Sequence, residues 1–82
     1  MPTLLRVGPH EFYIVMFDCR ERKHVHVGRG GGARAKVWLE PEIGLEANRG
    51  YTAREVSVIT AIAREHRDTL IRRWIEECGR QP

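Results

Sequence analysis

The chain has 82 residues and a mass of 9.5 kDa, enough for one domain, 1–82, built on a single core. Hydrophobic residues make up 41% and charged residues 30% of it, a globular balance that excludes a disordered chain, and no apolar run approaches the ~20 residues that cross a bilayer. The opening Met1–Arg6 is too short and too soon charged for a signal peptide, and two cysteines, Cys19 and Cys78, are too few for a disulfide scaffold, so a reduced, cytoplasmic setting is expected.

Strand signals fill the first half. Leu4 to Val7 is a short extended run closed by the turn signal Gly8-Pro9-His10. Phe12 to Phe17 is rich in β-formers and apolar on both faces, the profile of a central strand. Asp18 to Lys23 is a charged connection. His24 to Val27 and Arg34 to Leu39 each alternate polar and apolar residues, which predicts a β-hairpin around a glycine loop. Glu40 to Gly50 is acidic and turn-rich, with one short extended piece expected around Ile43 to Leu45.

Helix signals fill the second half. Thr52 and Glu55 have the spacing of a capping box, and apolar residues then recur at gaps of three and four through Cys78, with Gly79 as a stop. One unbroken helix over 53–78 would be ~39 Å long in a domain ~30 Å across. The polar sequence Glu65-His66-Arg67-Asp68 interrupts the apolar stripe, so two helices are expected, with Asp68 able to cap the second. Strands over roughly 3–47 followed by helices over roughly 53–78 predict an α+β fold. Its elements are a small, largely antiparallel sheet of three to five strands and two C-terminal helices packed on one face.

Strand parity supplies the candidate site. The register that keeps Val25, Val27, Ala35, Val37 and Leu39 on one face sets His26 opposite Lys36 and His24 opposite Trp38, with Arg29 to Ala33 as the loop. The other face, exposed or partly exposed, then gathers His24, His26, Lys36 and Trp38, with Arg34 at its margin. Imidazoles suit proton transfer near neutral pH, a lysine can stabilise charge developing on a phosphate, and Trp38 offers a surface on which an unpaired base can stack. These are the parts of a metal-independent ribonuclease, with His24, His26 and Lys36 as catalytic candidates and Trp38, Arg34 and Arg29 as substrate-binding ones. A half-exposed strand face that is merely polar is the alternative.

The charge distribution agrees with an acidic partner. Twelve of the fourteen basic residues are Arg, and residues 1–39 carry seven bases against three acids within a chain of net charge +3. A His-x-His pair on a strand can also hold zinc, and His10, Asp18 and Cys19 are the nearby third ligands. Glycine and charged residues surround the pair in place of a Cys/His cluster, so no metal and no cofactor are expected. The glycine loop lacks the Gly-Lys-Ser/Thr ending of a phosphate-binding loop. Cys78 and Trp74 are expected in the core, and Cys19 in a charged loop without reactivity.

Met1-Pro2-Thr3-Leu4-Leu5-Arg6, His24-Val25-His26-Val27, Ala35-Lys36-Val37-Trp38-Leu39-Glu40-Pro41, Asn48-Arg49-Gly50-Tyr51 and the Arg/Glu-rich helix bearing Trp74 together resemble the bacterial family called domain of unknown function 4160. The stretch before the histidines, often proline-rich in that family, reads Arg20-Glu21-Arg22-Lys23 here. The resemblance implies the toxin of a type II toxin–antitoxin pair, with a cognate small protein encoded nearby as partner; the basic front half and the His/Lys/Trp face suggest RNA or the translation machinery as its target. The alternative is a non-catalytic protein- or nucleic-acid-binding module, the regulatory half of such a pair.

Overall fold

Alternation of apolar and polar residues builds the sheet, and the computed structural model of the protein shows how. It describes residues 2–79, so Met1 of the opening motif and residues 80–82 of the expected domain lie outside the described residues. Five strands, β1 (Thr3–Val7), β2 (His10–Tyr13), β3 (His24–Gly28), β4 (Arg34–Trp38) and β5 (Gly44–Arg49), pair in sequence order as an antiparallel meander. Helices α1 (Ala53–Glu65) and α2 (Arg67–Gly79) follow, which makes the fold α+β as expected. Among the described residues no helix is long and apolar enough to cross a membrane.

The β3–β4 hairpin has the register that parity demands: His24 opposite Trp38, Val25 opposite Val37, His26 opposite Lys36 and Val27 opposite Ala35. Its inner face joins Phe12, Ile14 and Leu39 in a core that the helices close with Ile59, Ala63, Leu70 and Trp74. Burying one such aliphatic side chain contributes about 1.5–3 kcal/mol, so a one-residue slip, which would turn the whole set outward, is strongly disfavoured. α2 lies beside β1 and α1 beside β5.

The helix break falls where polar residues interrupt the stripe. α1 ends at Glu65, His66 caps it, and α2 resumes at Arg67, which puts Asp68 in the first turn of α2. The Thr52–Glu55 capping box forms in both directions, Glu55 N–H to Thr52 Oγ1 at 3.1 Å and Thr52 N–H to Glu55 Oε1 at 3.0 Å. Gly50, just before it, holds φ +90° with Ala33 3.3 Å from where a Cβ would sit, so both conformation and space call for glycine.

Three expectations need correction. The strand predicted over Phe12 to Phe17 stops at Tyr13, and a 3₁₀ segment (Met16–Arg20) follows. Asp18 starts that segment by accepting the Val15 N–H at 2.9 Å, a local bond that diverts the backbone from the ladder. β5 is longer than the piece expected around Ile43 to Leu45, because β4 offers it an open edge and Glu46 is absorbed as an extra residue between the Lys36–Ala47 and Val37–Leu45 pairs. The third is the expectation of reduced cysteines, on which the reduced setting rested. Cys19 and Cys78 form a disulfide that ties the 3₁₀ segment to the end of α2, with Cα atoms 5.6 Å apart. Separation in sequence gave no hint of it, since the 3₁₀ turn is what carries Cys19 to the helix.

Candidate functional site

The outer face of the sheet collects residues by the same parity that builds the core. Tyr13 pairs with His26, His26 with Lys36, and Arg34 with both Gly28 and Arg49. Tyr13 and His26 stack with ring centroids 5.5 Å apart. One shallow concavity of about 440 Å³ runs along this face between Arg6, Tyr13, Arg34 and the glycine loop. A second, of about 270 Å³, lies between His26, Lys36, Arg34 and Arg49. The two share Arg34, and Glu11 also lines the first.

His24, His26, Lys36 and Trp38 do lie on this face, but the expected exposure fails at His24, which is 0% exposed. The Trp38 and His26 rings flank it edge-on, at 5.5 and 5.2 Å between centroids. His26 keeps a quarter of its side chain in solvent. Burial holds its imidazole below the ordinary value. The Asp18 carboxylate pulls the other way, while the nearby His24 and Lys36 add to the lowering.

Of the remaining predicted residues, Lys36, Trp38 and Arg29 are held by partners that sequence reasoning did not assign to the site. Lys36 Nζ donates to Glu21 at 3.0 Å. Trp38 Nε1–H donates to Glu46 at 2.8 Å, and the Arg22 guanidinium sits 3.9 Å from the centre of its ring. Arg34 is exposed at the margin, as parity placed it. Arg29 turns toward the helix instead, with its Nε and Nη2 donating to the two carboxylate oxygens of Glu55 at 2.7 and 3.1 Å. That fork and the Thr52 backbone N–H hold the Glu55 carboxyl down at about 2.

Beneath the face lies a cluster that the sequence hinted at only as a third-ligand option. The 3₁₀ segment aims Asp18 Oδ2 at both histidines, 2.9 Å from His26 Nε2 and 3.2 Å from His24 Nε2. Asp18 itself is 6% exposed. His10 faces the core and bonds the Tyr51 hydroxyl at 3.2 Å, and Cys19 is in the disulfide, so of the three options only Asp18 joins the pair. Asp18, Glu21 and Arg22 all come from the charged connection, which carries no periodicity that could have placed them.

Fold and site together define a small α+β domain with a basic, aromatic sheet face over a buried histidine–aspartate cluster. Residues 11–75 match the family described as Domain of unknown function (DUF4160), and the chain belongs to that family. No curated protein and no solved structure matches it.

Proposed function

We propose that this chain is the toxin of a two-protein toxin–antitoxin pair, acting on RNA or the translation machinery through the outer face of its sheet. The observation that carries the reading is the union of His26, Lys36, Trp38 and Arg34 on one face, beside Tyr13 and Arg49. Arg34, Arg49 and Lys36 supply charge for a phosphate backbone, and Tyr13 and Trp38 supply rings for unpaired bases. His26 is the imidazole that a substrate on this face can reach, while buried His24 acts only through its neighbours. The partner is a cognate small protein that presents an acidic or amphipathic segment across the same surface, which makes its association salt-sensitive.

One observation favours the second reading, a non-catalytic binding module. Lys36, Trp38 and Arg29 are each already engaged by a carboxylate of the chain, as a docking surface with preformed polar contacts would be. Expression in a bacterial host separates the two. Induction alone should arrest growth, and co-expression of the neighbouring gene should relieve the arrest. Normal growth on induction of the folded protein would leave the binding module.

A further inference from the structure

We propose that Asp18, His24 and His26 form a binding site for one divalent transition-metal ion, zinc foremost. The inference starts from His24. Its Nδ1 lies 2.8 Å from the Arg22 carbonyl oxygen, a group that only accepts, so Nδ1 carries the proton and donates. In the neutral ring Nε2 is then left with a lone pair. That atom is fully buried and has no hydrogen-bond partner, although Asp18 Oδ2 stands 3.2 Å away. The pair is close but not aligned as a hydrogen bond, and what faces the carboxylate oxygen is another acceptor. Asp18 Oδ2 has the Val15 N–H and His26 as partners, so the orphan is His24 Nε2, and a buried acceptor without a partner is costly enough to call for an ion or a donor beside it.

The rest of the geometry fits an ion there. Histidine ligands of zinc characteristically donate their second ring nitrogen to a backbone carbonyl or a carboxylate, which fixes the tautomer and aims the first nitrogen at the metal. The Arg22 carbonyl plays that role for His24. His26 Nε2 hydrogen-bonds the same oxygen of Asp18 at 2.9 Å, through a proton that the ion would replace, and the three ligand atoms lie within 4.8 Å of one another. Ligands at zinc distances, about 2.0–2.1 Å from the ion, stand about 3.3 Å apart in a tetrahedron. The two separations from Asp18, 2.9 and 3.2 Å, therefore need to open by only a few tenths of an ångström, and the two imidazole nitrogens lie within 4.8 Å of each other. Asp18 is further oriented by the Val15 N–H at 2.9 Å. Three protein ligands, two imidazoles and a carboxylate, are the donor set of sites that keep one position for water or substrate. The partly exposed edge of His26 opens on the face that carries Lys36.

Zinc titration of the purified full chain tests this, with the disulfide intact so that thiolates cannot contribute. Calorimetry should give one zinc per chain, and Co²⁺ in its place should show the visible absorption of a tetrahedral site. His26→Gln, at a partly exposed position, should stay folded by circular dichroism and bind zinc about 100-fold more weakly or worse, since losing even an outer-shell partner costs about 10–100-fold. Asp18→Asn and His24→Gln should do the same, and His26→Gln decides if either fails to fold. Lys36→Ala should leave zinc affinity unchanged. No zinc uptake by the folded wild type, or uptake that His26→Gln leaves intact, overturns the site. The titration contains no RNA, so it succeeds or fails apart from the toxin reading. Zinc binding without growth arrest counts against the toxin alone, and growth arrest without zinc binding counts against the metal site alone.

Discussion

The β3–β4 hairpin and the segment that precedes it, residues 14–23, contrast in how their side chains come to be where they are. In the hairpin, position follows from parity: every second residue is core, and the alternate ones meet across the strands. In residues 14–23 no such rule operates. Yet this segment supplies Asp18 beneath the outer face, Glu21 and Arg22 over it, and Cys19 to the disulfide. Regular structure brings the candidate side chains to one face, and an irregular connection held by local bonds decides which of them are exposed, paired or buried.

The disulfide gives the largest expected effect on that comparison. It closes a span of 59 residues between the irregular segment and α2, and the chain-entropy relation assigns such a loop about 4 kcal/mol. Cys78→Ser, or reduction of the wild type, should lower unfolding stability by up to that amount in urea titrations with and without reductant. An unchanged midpoint would mean that Asp18 and its bonds hold the segment alone. Next comes the hairpin's own asymmetry. Val25→Ala, at a fully buried position, should cost about 2–3 kcal/mol, and Lys36→Ala, across the sheet, less than about 1 kcal/mol. Equal costs would break the division into a packing face and a working face.

A third prediction concerns the link between the hairpin loop and α1. Glu55 is held at about 2 against an ordinary 4.5, so its depressed value stabilises the fold fully above about pH 4.5, and that contribution is lost as pH falls toward about 2. Wild type should therefore lose stability more steeply than Glu55→Gln across that window in acid denaturation. Parallel profiles would show that the Arg29–Glu55 fork contributes nothing. The smallest effect is at Glu21, which is exposed where it meets Lys36. Glu21→Ala should leave stability within about 0.5 kcal/mol and, on the proposed RNA-directed reading, free Lys36 for phosphate, so that the salt dependence of binding to an RNA oligonucleotide steepens by about one unit of slope. An identical slope would mean that Lys36 does not meet the RNA backbone.

Much of the fold was legible because it obeys periodicity. The hairpin register, the Thr52 capping box and the helix break after Glu65 are all local consequences of residue spacing. What was not legible depends on bonds between distant residues or on backbone diversion by one side chain. Asp18 ends the run that Phe12 to Phe17 would otherwise continue, Cys19 meets Cys78 only after both are folded, and Glu46 reaches Trp38 because β5 absorbs an extra residue. The site was legible in the same measure. Parity placed His24, His26, Lys36 and Trp38 together, but the burial of His24 follows from the rings and the aspartate packed around it.

The central claim is that the outer face works while the inner face only folds, and growth on induction of matched variants tests it most directly. His26→Ala and Lys36→Ala, each shown to be folded by its unfolding transition, should abolish or strongly weaken growth arrest, since the first removes the imidazole that a substrate on this face can reach and the second a charge for phosphate. Full toxicity in both folded variants would contradict the account.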